Sequence, residues 1–361
     1  MKIGIHTGSA FCSERTGVEE YTYQVLNHIA KLKEHNNHEF ILYVNPKTTD
    51  KIPDFPENFK IKKLNSPFLW TKIRLSFELF FHPVDVLFLP ANFLPFFYSK
   101  NTVLTIHGLE FEYLPEDYQK KNIYYLKQGT KEAFKKARKI IAVSENTKKD
   151  LLKFYGEDKE KIKVIHHGVL NKKRDIKKDL LQKGKYILYV GRVESKKNIK
   201  GIVEAFNDFK IAFDDYSYKL VLAGKKGCNF SKVKTTIEKS PYKKDIILTG
   251  YVSQAEKEKL LENADIFLFP SFYEGFGMPI LEAQKMGIPI ITSNVSSMPE
   301  IAGEGGALFV DPKNTEDIAN AIKKLAEDDN LRQNLIKQGK KNTEKYTWEK
   351  CAKKTLDFLL K

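Results

Sequence analysis

The chain alternates between short apolar runs and longer stretches in which apolar positions recur every third or fourth residue. Runs of the first kind fit strands buried on both faces, and stretches of the second kind fit amphipathic helices laid over them. Lys2–His6, Glu39–Val44, Val86–Leu89, Thr102–Ile106 and Lys139–Val143 read as strands, with helical segments at roughly 17–33, 70–81 and 119–137. After residue 169 the pattern starts again. Tyr186–Val190, Lys219–Ala223, Asp245–Leu248, Asp265–Phe269 and Pro289–Thr292 are apolar runs joined by helical connections. Such alternation predicts parallel sheets covered by helices, and its restart predicts an α/β chain of two doubly wound domains. Their expected limits are 1–169 and 170–346, with a basic polar linker near 170–184 and a last helix over 347–361. Ligands of such folds bind at the C-terminal ends of strands, here expected to face an interdomain cleft.

A length of 361 residues agrees with two cores rather than one. Hydrophobic content of 42% with 30% charged residues describes a water-soluble globular protein. Met-Lys-Ile-Gly-Ile leads straight into a strand, so no secretory signal is expected. The most apolar stretch, 76–98, is broken by Glu78, His82, Pro83, Asp85, Pro90, Asn92 and Pro95, which excludes a membrane span there. Cys12, Cys228 and Cys351 lie far apart without metal-ligand spacing, which suits a reducing cytoplasm.

A formal charge of +15 admits nucleic acid, an anionic membrane or acidic substrates as partners, or a lysine-rich solvated surface. The lysines are scattered, which favours the last. Two clusters stand out. Lys172 to Lys185 holds seven basic residues at the expected domain junction. Lys131, Lys135, Lys136, Arg138 and Lys139 fall on a predicted helix whose other face carries Ala133, Phe134 and Ala137. That helix is either a peripheral contact with an anionic membrane or, more commonly, a core-packed helix with a wet basic side. No nucleic-acid module is recognisable, so nucleic acid is not expected as a partner.

The most informative chemistry lies between Ala264 and Gly303. An apolar strand pattern runs to Pro270, a loop follows with Gly275 and Gly277, and Pro279 suits the first turn of a helix ending at Gly287. A strand, a glycine loop and a helix N-terminus present N–H groups and a positive dipole end to a phosphate. Glu274 and, eight residues later, Glu282 stand beside this loop. Carboxylates repel phosphates but accept well from hydroxyls. Such a site suits a ligand with anionic and polyol parts, such as a sugar nucleotide; the bland alternative is a loop carboxylate and a dipole-favoured helix residue.

This stretch resembles the carboxylate signature of the retaining glycosyltransferases of family 4 (group 1), and ordered matches extend over most of the chain. Gly17-Val18-Glu19-Glu20-Tyr21 resembles the family's N-terminal loop and first helix. Ile106-His107 resembles its catalytic-histidine strand end. Ala142-Val143-Ser144-Glu145 and Val164-Ile165-His166-His167-Gly168-Val169 resemble the segments leading out of the first domain. Tyr189-Val190-Gly191-Arg192 with Lys197-Asn198 resembles the phosphate-binding segment. The resemblance implies the GT-B fold, two Rossmann-like domains with an interdomain cleft, and a last helix that crosses back to the first domain.

It also implies roles. Arg192 and Lys197 would hold the diphosphate, Glu282 the ribose, and Glu274 a hydroxyl of the donor sugar. Gly275, Phe276, Gly277, Met278 and Pro279 would line the donor at the helix end, and the backbone at Gly17 would approach the phosphates. His107 would contact the donor sugar near its anomeric carbon, able to donate a hydrogen bond there. Where the family commonly has Asp after this histidine, the chain has Gly108. The implied reaction transfers a hexosyl group, mannosyl or glucosyl favoured, from a GDP-sugar or UDP-sugar to a glycan or lipid-linked acceptor with retention. No Asp-x-Asp occurs in the sequence, and neither a metal nor a resident cofactor is expected. The expected location is the cytoplasm, including the inner face of the membrane. The acceptor would bind the first domain, with loops 8–17 and 90–98 as candidates; Phe93, Phe96, Phe97 and Tyr98 there suit either stacking on sugar or lipid or a place in the core, with core favoured. Two other classes fit the same scaffold: a sugar-nucleotide epimerase or hydrolase, and a non-catalytic sugar-nucleotide-binding protein.

Overall fold

A computed structural model describes residues 1–66, 68–91, 93–170, 185–212 and 217–361. The basic stretch Lys172 to Lys185, except Lys185 itself, and Asn92 of the 90–98 loop lie outside the described residues. The chain forms two compact units. The first comprises Met1–Glu112, Lys120–Gly168 and Tyr346–Lys361; the second comprises Tyr113–Gln119 and Val169–Lys345.

The first unit is built on β1 (Lys2–His6), β2 (Glu39–Val44), β3 (Phe59–Lys63), β4 (Val86–Leu89), β5 (Thr102–Ile106), β6 (Lys139–Ala142) and β7 (Ile162–Val164). They form one seven-stranded sheet in the order β3-β2-β1-β4-β5-β6-β7, with every pair parallel. Ile3 and Ile5 of β1, Leu87 of β4 and Leu104 of β5 are wholly buried, as a sheet covered on both faces requires. The periodicity did not predict β3 and β7. Their sequences, Phe-Lys-Ile-Lys-Lys and Ile-Lys-Val, carry the lysines that edge strands use against unwanted pairing, so they lack the continuous apolar run of a central strand.

Helix limits differ from expectation at their ends. The helix predicted over 17–33 is Gly17–Ile29, closed where Ala30 donates to Leu26 O and Lys31 to His28 O. The segment 70–81 is helical throughout, as a π-turn over Trp70–Arg74 running into the α-helix Leu75–Phe81. The helix Lys120–Lys136 buries Ala133 and Phe134 and leaves Lys131, Lys135 and Lys136 exposed. Arg138 and Lys139 fall beyond it, and Lys139 opens β6, so the basic cluster spans a helix end and a strand. The helix Trp348–Leu360, N-capped by Thr347, whose Oγ1 accepts from Lys350 N–H at 3.2 Å, packs against Gly17–Ile29. It buries Trp348, Cys351, Ala352, Leu356 and Leu359.

The second unit contains β8 (Tyr186–Val190), β9 (Lys219–Ala223), β10 (Ile246–Gly250), β11 (Ile266–Phe269), β12 (Ile290–Ser293) and β13 (Leu308–Val310). Their order is β10-β9-β8-β11-β12-β13, again all parallel. The three-residue β13 lies at an edge and was not predicted. The sheet grows outward in one direction from β8 to β10 and in the other from β11 to β13. That reversal leaves the connections after β8 and β11 diverging on opposite faces, with room between them at the strand ends.

Trp348 is 2% exposed, with its ring 6.3 Å from Tyr21 and 5.9 Å from His167. Trp348→Ala should therefore destabilise the first unit by about 3–5 kcal/mol, the usual cost of emptying a buried tryptophan site. Urea unfolding followed by circular dichroism checks this; a loss below about 1 kcal/mol would mean that the C-terminal helix is not an integral part of that core.

Candidate active site

The two strands at the reversal point of the second sheet deliver most of the candidate residues. β8 leads into Gly191 to Asn198, and β11 leads into the loop Pro270 to Gly277. Asn198 sits in the left-handed region at φ 57, where its side chain accepts from Gly201 N–H at 3.2 Å and donates to Pro312 O at 2.6 Å. Asparagine tolerates that conformation better than most residues. It opens the helix Ile199–Ala212 and fixes Lys197 immediately before it.

The glycine loop is held from the next strand. After β12, Ser296 Oγ accepts from Glu274 N–H at 3.2 Å and donates to Glu274 O at 2.6 Å. Ser297 Oγ lies 2.9 Å from the carbonyl oxygens of both Glu274 and Phe276, and Ser293 Oγ donates to Ser271 O at 2.7 Å. Three serines thus fix the backbone that carries Glu274. Gly277 caps the helix Met278–Met286 at φ 99, a conformation that disfavours any side chain. With Pro279 in the first turn, the N–H groups of Gly277 and Met278 have no protein partner among the described residues. They point out of a helix end, where an anion is favoured.

The charged side chains are brought together in pairs. Lys197 Nζ donates to Glu274 Oε1 at 2.6 Å, and Lys257 Nζ donates to Glu282 Oε1 at 2.6 Å. All four are partly buried. Arg192 is exposed; its carbonyl accepts from Tyr189 Oη at 2.9 Å, and its guanidinium has no ion pair among the described residues. A lysine has three N–H donors, so Lys197 can hold Glu274 and still meet an oxyanion. The arrangement therefore offers, within one hydrogen bond of each other, a cation for a phosphate and a carboxylate for a hydroxyl.

Gly17 and His107 belong to the first unit. Gly17 is the first helical residue after Thr16, whose N–H donates to Glu19 Oε2 at 3.0 Å. His107 follows β5, with its ring 4.9 Å from Tyr21 and 5.6 Å from His167. His107 Nε2 lies 2.7 Å from Pro90 O. A carbonyl can only accept, so Nε2 carries the proton, and Nδ1 of the neutral ring is an acceptor. Burial lowers the His107 pKa to about 4, so the ring is neutral at ordinary pH. The one N–H of the neutral His107 is engaged by Pro90, and Nδ1 is left able to accept from a hydroxyl. Gly108 has φ 147, a conformation that residues with a side chain rarely adopt. Phe93, Phe96 and Phe97, for which a place in the core was favoured, are exposed, and Tyr98 is half-buried, so that preference is corrected.

Sequence reasoning missed Lys257, Ser296, Ser297 and the hydrogen-bonding role of Asn198. Lys257 lies in a run of alternating charge, Glu-Lys-Glu-Lys, that looks like any solvated helix face. The serines had a usable signal: small hydroxyl residues directly after a strand and before Met298-Pro299 mark a loop that binds its neighbour's backbone.

Two family models match the chain: Glycosyltransferase Family 4 over residues 15–170 and Glycosyl transferases group 1 over residues 171–342. The chain is 26% identical to O-antigen chain mannosyltransferase B of Escherichia coli across 95% of each protein. Its fold is similar to sucrose-phosphate synthase from Thermosynechococcus elongatus, with a TM-score of 0.77 at 16% identity over 99% of this chain and 97% of that one. It is also similar to Anabaena HepE, solved with UDP and glucose, with a TM-score of 0.70 at 13% identity over 100% and 99% of the two chains. Two parallel-sheet Rossmann-like units of this kind are the GT-B fold of glycosyltransferases. The chain belongs to the family 4, or group 1, glycosyltransferases.

Burial also pushes the buried His167 well below the ordinary histidine value of 6.5. Folded His107 refuses a proton that the unfolded chain takes between 6.5 and about 4, so stability should fall as pH drops through that window. Each such histidine contributes up to about 1.4 kcal/mol per pH unit. His107→Gln keeps an N–H for Pro90 but cannot titrate, so its stability should depend less steeply on pH. Urea unfolding across the window measures the slope, and an unchanged slope would reject the buried neutral state of His107.

Proposed function

We propose that this glycosyltransferase moves a hexosyl group, with mannosyl favoured over glucosyl, from a nucleoside diphosphate sugar to a glycan or lipid-linked acceptor in polysaccharide synthesis. The Lys197–Glu274 pair carries the reading. A cation and a hydroxyl acceptor joined by a 2.6 Å hydrogen bond suit the point where a phosphate meets a sugar. The mannosyl preference is supported by the relative named as a mannosyltransferase. By the resemblance, GDP is favoured over UDP and the anomeric configuration is retained. We place the enzyme in the cytoplasm, including the inner face of the membrane.

Bond cleavage between the anomeric carbon and the diphosphate leaves negative charge on the leaving group. Arg192, Lys197 and the N–H groups of Gly277 and Met278 are suited to receive it. These fixed donors can replace a metal ion, and transfer is proposed to proceed without one. Glu282 accepts from the ribose hydroxyls, with Lys257 holding its carboxylate in place. Glu274 accepts from a hydroxyl of the transferred sugar, and Gly275 and Phe276 shape the loop around it. The family resemblance gives Gly17 an approach to the phosphates and His107 a contact with the donor sugar, for which the free Nδ1 of His107 would serve as an acceptor.

Glu282→Ala should weaken binding of the free nucleoside diphosphate by about 1.5–3 kcal/mol, a roughly 10- to 100-fold rise in Kd. Glu274→Ala should leave free diphosphate binding nearly unchanged and lower kcat/KM for the intact donor. Titration calorimetry with GDP and UDP, followed by steady-state kinetics, separates the two. Equal loss of diphosphate affinity in both variants would remove the division between ribose and sugar carboxylates.

Turnover should persist in excess EDTA. A complete loss restored by magnesium would refute metal-independent transfer.

A further inference from the structure

The helical segment Trp70–Arg74 and Leu75–Phe81 is built inside out. Phe77, Phe80 and Phe81 stand three and four residues apart, on one stripe of the helix. They are 58%, 60% and 67% exposed. The opposite side buries Leu75 and Leu79 together with a carboxylate, Glu78, which is only 4% exposed. That carboxylate is met by Lys62, by Arg74 at 3.4 Å and by His82 at 2.9 Å. Water favours the reverse arrangement, with the charge outside and the rings inside.

Neighbouring residues enlarge the same apolar surface. Ser76 Oγ accepts from Phe96 N–H at 2.7 Å and from Phe97 N–H at 3.3 Å, which fastens the following loop to this helix. The Phe97 ring lies 5.1 Å from Phe80, and Phe96 is exposed beside it. At the other end Phe68 is exposed, and the exposed Leu69 is held at φ 47, a strained conformation for leucine. The patch has a basic border. Lys72 Nζ is 5.4 Å from the Phe96 ring and 3.5 Å from Glu132 of the helix Lys120–Lys136, which exposes Lys131, Lys135 and Lys136.

Solvent-exposed aromatic rings in a contiguous patch mark an interaction surface. Rings flanked by lysines match one kind of partner by charge and polarity. At the boundary of an anionic bilayer, rings enter the acyl region while ammonium groups remain at the phosphates. The net charge of +15 has the sign this requires. No helix of the described residues is long and apolar enough to cross a membrane. We propose that the phenylalanine face of residues 70–81, with the loop 93–97, docks on the surface of an anionic lipid bilayer. This rests on the proposed lipid-linked acceptor for its purpose, but the docking itself requires no transfer.

The wild-type chain and a Phe77→Ser/Phe80→Ser/Phe81→Ser variant are sedimented with vesicles of phosphatidylglycerol and phosphatidylcholine, and with vesicles of phosphatidylcholine alone. Wild type should pellet with the anionic vesicles and less so in high salt. The variant should partition roughly ten-fold more weakly or worse, because it no longer moves three rings out of water. Its melting temperature and GDP binding should match wild type. Should the triple variant fold poorly, Phe80→Ser alone and quenching of Trp70 fluorescence by brominated lipid read the same contact. Equal partitioning of wild type and variant would overturn the proposal, as would no wild-type binding to anionic vesicles. So would a concentration-dependent dimer, formed without lipid and lost in the variant, which would give the face to a second copy of the chain. A wild-type chain that binds vesicles but no nucleoside diphosphate would overturn the proposed reaction and leave the docking surface standing.

Discussion

Both sheets are entirely parallel, and that constraint organises everything else. Each strand must leave at the same edge and return by a crossover, so polar loops collect at the C-terminal edge while apolar side chains fill both faces. Where the strand order reverses, neighbouring strands send their loops apart and leave an opening. In the second unit those neighbours are β8 and β11. Lys197 follows one and Glu274 the other, and adjacency in the sheet closes 77 residues of sequence to 2.6 Å. Register errors would separate them, because β11 meets β8 through Ile266 opposite Ile187 and Phe267 opposite Leu188. The interior strands that set this register are wholly apolar, so hydrophobic burial ultimately places the charges.

Central strands were legible because burial on both faces leaves an uninterrupted apolar run. β1, β2, β4, β5, β8 and β9 match the sequence reading at both ends. Of the edge strands, β10 was read with shifted ends, but β3, β7 and β13 were not; β3 and β7 carry lysines that break the apolar run. The site divided along the same line. The glycine loop, Pro279, Glu274 and Glu282 form a local pattern that survives without knowledge of the fold. Their partners do not. Lys257 reaches Glu282 only because two helices of the second unit lie side by side, and Ser296 reaches Glu274 only because β12 lies next to β11. No local sequence spacing encodes either contact.

The segment 70–81 shows a different limit. Its helical periodicity was readable, but the face it buries was not. Leu75 and Leu79 on one side and Phe77, Phe80 and Phe81 on the other make the helix apolar nearly all round, and such a pattern has no unique inward stripe. Burial of Glu78 with Lys62, Arg74 and His82 settles the orientation through a polar network rather than through hydrophobicity. The same ambiguity explains why the aromatic residues of the 90–98 loop read as core: composition alone cannot distinguish a ring packed inside from a ring held outside.

In the proposed reaction, the site's lysines would meet a diphosphate while already paired with carboxylates. Partly exposed ion pairs contribute little to stability, typically below about 1 kcal/mol. Their consequence here is electrostatic. Lys197 and Glu274 nearly cancel as seen from a distance, as do Lys257 and Glu282, although each lysine still has donors to offer at close range. Arg192, by contrast, has no ion pair for its guanidinium among the described residues, and the start of the helix Met278–Met286 carries the positive end of its dipole. Arginine is suited to a phosphate because its planar fork meets two phosphate oxygens at once and cannot lose its proton. Each carboxylate, in turn, is held in place by its lysine and keeps oxygens that can accept from hydroxyls. In the proposed reaction, these two pairs and Arg192 would divide the donor between cations for its phosphates and carboxylates for its hydroxyls.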